Sequence, residues 1–134
     1  MTMRFEGKFQ CNPQPGDFLT LNVGSVEVRA TIKHDGHSRP SDYECYTPAD
    51  CESWRRGEWY FCGVVISVRA NGRSVDEHHE SLWGIDVNNS GDYVTEIAND
   101  MAKRVDLTEI ALRLGECSRS LRNARDSMLL GSPV

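Results

Sequence analysis

The sequence predicts an α+β domain: an antiparallel β-meander of four to five strands packed by two C-terminal helices. Three observations predict it. Between about residues 18 and 87, apolar and polar residues alternate at the period of a half-buried strand. Gly24-Ser25 and Asn71-Gly72 fall between such runs, where tight hairpin turns belong. From Val94 onward the apolar residues recur at helical spacing instead.

Taken in order, Met3 to Gln10 alternates weakly and runs into two prolines and a glycine, which predicts an edge strand. Val26, Val28, Ala30 and Ile32 alternate with Glu27, Arg29, Thr31 and Lys33, so residues 18–23 and 26–33 form a hairpin with a type II′ turn. Residues 35–57 show neither period and read as a long loop, a feature that tends to carry function. Glu58 to Arg69 is apolar on both faces and predicts a central strand, one face under the helices and the other under the loop. Asn71-Gly72 favours a type I′ turn into a last strand that bulges over Asp76 to Glu80. Asp92 is the expected N-cap of the first helix, whose stripe is Val94, Ile97, Ala98, Met101 and Val105. Asp106 to Glu109 has capping-box character, so a break near 106 starts the second helix, with a stripe from Leu107 to Ala124. One domain over residues 1–134 follows, with a sheet region 1–87 and a helical region 92–129.

A chain of 134 residues buries enough surface to need no staples. Five cysteines, Cys11, Cys45, Cys51, Cys62 and Cys117, are an odd number without short repeated spacing, and read as reduced thiols. No run approaches eighteen apolar residues and the start lacks a signal-peptide pattern, so a cytoplasmic location and no membrane partner are expected. The net charge of -5 is unevenly spread. Residues 1–73 balance nine acids against nine bases, whereas residues 74–100 carry seven acids and no Lys or Arg. That acidic belt is the main electrostatic feature, and it suits recognition of a basic partner surface.

Chemistry-bearing residues form no recognisable catalytic set, and no enzyme activity or cofactor is expected. His34, His37, Cys45 and Cys51 are competent zinc ligands, but their spacing is looser than the close pairs of structural zinc sites. His78-His79 beside Glu77 and Glu80 has acid-base potential, yet adjacent strand residues point to opposite faces. Asp35, His37 and Ser38 or Ser41 lack the Gly-x-Ser-x-Gly elbow of a hydrolase, and no phosphate-binding glycine loop occurs. A small metal-dependent or hydrolytic enzyme built on the loop His and Cys residues is the alternative from another class. Trp59 and Trp83 read as core, whereas Trp54, next to Arg55-Arg56, reads as the exposed tryptophan and a binding hot spot. Arg119, Arg122 and Arg125 offer a basic helix face for a nucleic-acid accessory role, but the acidic segment around Trp83 argues against direct nucleic-acid binding there. The second helix also offers a homodimer interface.

Three segments, Gly7 to Asp17, Gly57 to Val68 and Glu80-Ser81-Leu82-Trp83-Gly84-Ile85, resemble small proteins of bacteriophages and other mobile elements that share a Ser-Leu-Trp-Gly-Ile signature ahead of a helix. The resemblance covers about residues 5 to 105. It implies a setting in a bacterial host and transfers no catalytic residue. In that setting the expected function is a non-enzymatic protein-binding module, a stoichiometric inhibitor of a host defence complex in the manner of anti-CRISPR proteins. The expected partner is a host protein or nucleoprotein complex. The expected contact residues are Tyr43, Tyr46, Trp54 and Arg55 in the loop, with Asp76, Glu77, Glu80 and Asp86 in the acidic belt.

Overall fold

The structure, a computed structural model, describes residues 4–88, 91–110 and 112. The chain divides into two compact units, Met1–Arg104 and Val105–Val134. In the first unit four strands, β1 (Phe18–Val23), β2 (Val26–Asp35), β3 (Phe61–Ala70) and β4 (Arg73–Asp86), form an antiparallel sheet in the order β1-β2-β3-β4. The expected meander is present, and each hairpin has the turn its residues dictate. Val23 pairs with Val26 across Gly24-Ser25, where Gly24 alone has a positive φ, 61°, as a type II′ turn requires. Asn71 and Gly72, at φ 53° and 77°, supply the two left-handed positions of a type I′ turn between β3 and β4.

β3 is central, and its residues from Phe61 to Ile66 are buried on both faces. On one face Val28, Ala30 and Ile32 of β2 stand beside Val68, Ile66 and Val64 of β3 in register, all fully buried. Helix α2 (Gly91–Ala102) lies against β3 and β4, burying Val94, Ala98 and Met101. Past its end, Arg104 reaches Glu80, whose register partner is Ile66, so α2 roofs this face. The cover of the sheet in the first unit is thus one helix.

Several expectations are corrected. Residues 4–10 form no strand. Their backbone is held by side chains of α2: the Phe5 N–H donates to Asn99 Oδ1 at 2.8 Å and the Phe9 N–H to Thr95 Oγ1 at 2.9 Å, while both phenylalanine rings are buried. A weak alternation here reflects two anchoring rings, and the backbone donors are satisfied without a ladder. The long loop contains a short 3₁₀ turn, Pro40–Asp42, and an eight-residue helix, α1 (Pro48–Arg55). Thr47 caps α1 through a reciprocal box with Asp50, and Pro48 opens it. Gly57 at φ 75° ends it, with Gly57 N–H donating to the Trp54 carbonyl and Glu58 N–H to that of Ser53, a Schellman motif. Helix α2 begins at Gly91, so Asp92 lies in its first turn and is not the cap.

β4 bulges over Asp76 to Glu80 as expected: Glu77, His78 and His79 oppose the single residue Ser67. A second bulge sets Trp83 and Gly84 against Gly63, with Gly84 at φ 74°. In the second unit the chain is helical again over 107–110, and Asp106 Oδ1 accepts the Glu109 N–H at 3.0 Å, so the expected break is present. The rest of the stretch expected to form the second helix, including Arg119, Arg122, Arg125 and Cys117, lies outside the described residues. No helix among the described residues is long and apolar enough to cross a membrane.

Candidate functional site

The carboxylate of Asp35, the last residue of β2, is the structural centre of one end of the sheet. It is buried, and every lobe of its oxygens is occupied. Oδ1 accepts the N–H groups of His37 (2.9 Å) and Ser38 (3.0 Å), and Oδ2 accepts the Ser38 hydroxyl (2.6 Å) and the Gly84 N–H (2.9 Å). Burial opposes ionisation, but these four donors outweigh it and bring the carboxyl down to about 2. One side chain thereby ties the end of β2, the turn after it and the bulge of β4. Ser38 meets Asp35 without an imidazole between them, and His37 contributes its backbone, so no Asp-His-Ser relay is assembled from these residues.

Beside this knot the stretch between the 3₁₀ turn and α1 lays Tyr43 and Tyr46 on Phe61. Tyr46 stacks on Trp59 with centroids 5.1 Å apart, and Tyr43 lies 5.6 Å from Phe61. The Tyr46 hydroxyl donates to Asp86 at 3.2 Å, and Trp59 Nε1 donates to the Asp50 carbonyl. Burial, reinforced by the Asp86 charge, pushes the Tyr46 phenol up. Two expected contact residues, Tyr46 and Asp86, therefore join each other, both half-buried. Tyr43 remains 40% exposed, its hydroxyl packed on Gly84.

The remaining expected contacts are dispersed. Trp54 is half-buried, which corrects its assignment as the exposed tryptophan, and Arg55 is exposed in the last turn of α1, paired with Glu52. Asp76 accepts the His78 N–H and pairs with His79 Nδ1, both at 3.2 Å. Glu80 is held by Arg104, with Nε to Oε1 at 2.8 Å, and Glu77 is exposed. Asp76 and Glu80 are in register with Val68 and Ile66 on the roofed face, whereas Asp86 is in register with Phe61 on the other. The register partners of Asp76 and Asp86, Val68 and Phe61, stand seven residues apart on β3, a span of about 23 Å. The belt is thus two groups on different faces and not one patch. The histidines of the bulge also go separate ways, His78 Nε2 lying 2.8 Å from Ser81 Oγ and His79 meeting Asp76.

Trp83, assigned to the core by sequence, is 43% exposed, as are its neighbour Leu82 (45%) and Phe18 on β1 (51%). Trp83 lies flat on Gly63, where any Cβ would enter its ring, and Trp83 Nε1 donates to Ser81 Oγ at 3.0 Å. The signal was available: a glycine inside an otherwise apolar strand marks close approach of another group. Trp83 and the His34-to-Ser38 turn line an open hollow of about 460 Å³. Among the described residues no group of three or more His, Cys, Asp or Glu is arranged to hold a metal, so His34, His37, Cys45 and Cys51 do not form a set. Cys62 is fully buried, and burial, with Asp35 and Asp86 adding, pushes its thiol up to about 11. Comparison with protein-family models, with curated proteins and with solved structures finds no match to this chain.

Proposed function

We propose that the protein is a non-catalytic protein-binding module that works by occupying a surface of its partner. The supporting observation is two exposed side chains along the β4 edge, Tyr43 packed over Phe61 on one face and Leu82, in register with Val64, on the other, next to the platform fixed by the four hydrogen bonds to Asp35. Rigid, half-exposed aromatic and aliphatic groups are the kind that anchor stable complexes, because little conformational freedom is lost when they dock. Further along the same edge strand, Asp76 and Glu77 add negative charge that favours a basic partner.

The resemblance to mobile-element proteins supplies the class of partner: a host defence complex, of the CRISPR effector type, inhibited by steric block inside the bacterial cytoplasm. Such inhibition is stoichiometric. Titrated into a host nuclease complex, the protein should abolish activity at a fixed molar ratio near one per complex, and preincubation time should not alter that ratio. Loss of activity at far less than one equivalent, growing with time, would mean turnover and would replace this reading with an enzymatic one.

A further inference from the structure

The two edges of the sheet are built differently. β4 is interrupted by bulges and carries Asp76, Glu77 and Glu80, features that keep an edge from pairing with another chain. β1, at the other edge, has none of them. Its residues, Phe18 to Val23, include no charged group, proline or glycine, and its register with β2 runs from Phe18↔Thr31 to Val23↔Val26 without a bulge. A straight, uncharged edge of this composition is a template for one more strand.

The direction of its backbone groups follows from the hairpin. A two-residue turn makes Val23 and Val26 a hydrogen-bonded pair, and such pairs recur at every second residue, so Leu21 and Leu19 also bond to β2. The 2.8 Å bond from the Ile32 N–H to the Asp17 carbonyl continues the same alternation. The N–H and C=O groups of Phe18, Thr20 and Asn22 therefore point outward from the edge, and among the described residues nothing bonds to them. The N-terminal segment does not fill this place. It lies over the roofed face, with Gly7 against the Leu19 side chain and the Phe5 and Phe9 N–H groups turned to α2.

The outward groups are symmetric about Thr20. Set antiparallel across a two-fold axis, Thr20 faces Thr20 of a second copy and Phe18 faces Asn22 in both directions, which completes about six backbone hydrogen bonds. The side chains agree with this register. Leu19 and Leu21, half-buried and in register with the fully buried Ala30 and Val28, each meet the other leucine of the second copy and extend the roofed core. On the open face the two threonines meet at the axis, a favourable cross-strand pair, and no charge on β1 opposes itself. We infer that β1 pairs with the β1 of a second copy, joining two four-stranded sheets into one continuous sheet. Because β4 is blunted, growth stops at two copies. The contact is one strand long, short of the roughly 1,200 Å² that stable interfaces bury, so the dimer is reversible. The inference does not rest on the protein-binding reading: the dimer leaves a β4 edge free at each end, and a chain that stays single leaves partner binding untouched.

Sedimentation velocity and amide exchange over a concentration series test it. The mean mass should rise from one copy toward two between about 5 and 500 µM. Over that range the amides of Phe18, Thr20 and Asn22 should slow about tenfold, while those of Leu19 and Leu21, bonded to β2, stay slow throughout. Thr20→Lys sets like charges opposite each other at the axis, and Thr20→Pro removes an N–H that β2 does not use; each should raise the dimer dissociation constant at least about tenfold. Ser74→Lys, at an exposed position on the β4 edge, should leave it unchanged. Protected β3 amides in every variant check that the sheet is intact. A chain that stays monomeric throughout, association that both Thr20 variants leave unchanged, assembly beyond two copies, or slow exchange at the three edge amides independent of concentration would each overturn the inference.

Discussion

At the scale of single residues, Asp35 and Gly63 carry the most consequence. Asp35→Asn replaces an acceptor-only group by one with two donors facing N–H groups, which should cost about 2 kcal/mol, read as a lower urea midpoint. The pH dependence follows from the lowered carboxyl: because the folded value lies near 2, below the ordinary 3.8, the stabilisation is fully present above about pH 4 and is lost as pH falls toward 2. Wild type should therefore lose on the order of 2 kcal/mol over that window, and Asp35→Asn should lose less. Gly63→Ala should lift Trp83 off the sheet, costing about 1–3 kcal/mol and shifting tryptophan emission to the red. Neither role is legible in the sequence. Asp35 looked like the first residue of a loop, and its partners Ser38 and Gly84 lie on segments that composition alone does not bring together. Trp83 looked like core because aromatic residues in strands usually are. Its exposure depends on a bulge one residue wide, which turns the side chain onto the face opposite α2.

Among the elements, the strands and turns were readable and the helix α1 was not. Turn chemistry fixes both tight hairpins, because Gly24 and Asn71-Gly72 occupy backbone regions that few residues enter. Helix α1 has weak amphipathicity and no buried residue, so no apolar period announced it. Its signals were at the ends: Thr47-Pro48 with Asp50 three residues after the cap, and Gly57 after the last turn. Thr47→Ala should cost about 1 kcal/mol of stability, measured by denaturant titration, if the cap holds α1 as described. The N-terminal segment misled differently. Its two buried rings mimic strand alternation, while Asn99 and Thr95 take up the N–H groups a ladder would use. Replacing Asn99 by Ala and Thr95 by Val should speed amide exchange at Phe5 and Phe9 and leave the β3 amides protected. On β4, acids and bulges along a fourteen-residue edge also keep that edge from pairing with another chain. This gives the negative charge of residues 76–80 a structural role alongside any partner role.

For the molecule as a whole, the first unit is a sheet with unlike faces. One is roofed by α2 and closed by Arg104 on Glu80, and the other is covered at one end and open in the middle. The fold class was legible because periodicity and turns are local properties. The arrangement of the surface was not, since the expected contacts Tyr46 and Asp86 are half-buried and bonded to each other, Trp54 is half-buried, and the acidic belt divides between faces. Of the residues expected to meet a partner, Tyr43, Arg55, Asp76 and Glu77 keep side chains on the surface or near it, and Leu82 joins them. On the proposed reading, the protein acts by binding a partner through the β4 edge. Affinity capture from bacterial host lysate with tagged wild type, beside Tyr43→Ala/Leu82→Glu and a folded control Arg55→Ala, tests it most directly. Wild type and the control should each recover a stoichiometric complex, and the double variant at least tenfold less of it. Equal recovery by all three, or no complex with any of them, would contradict it.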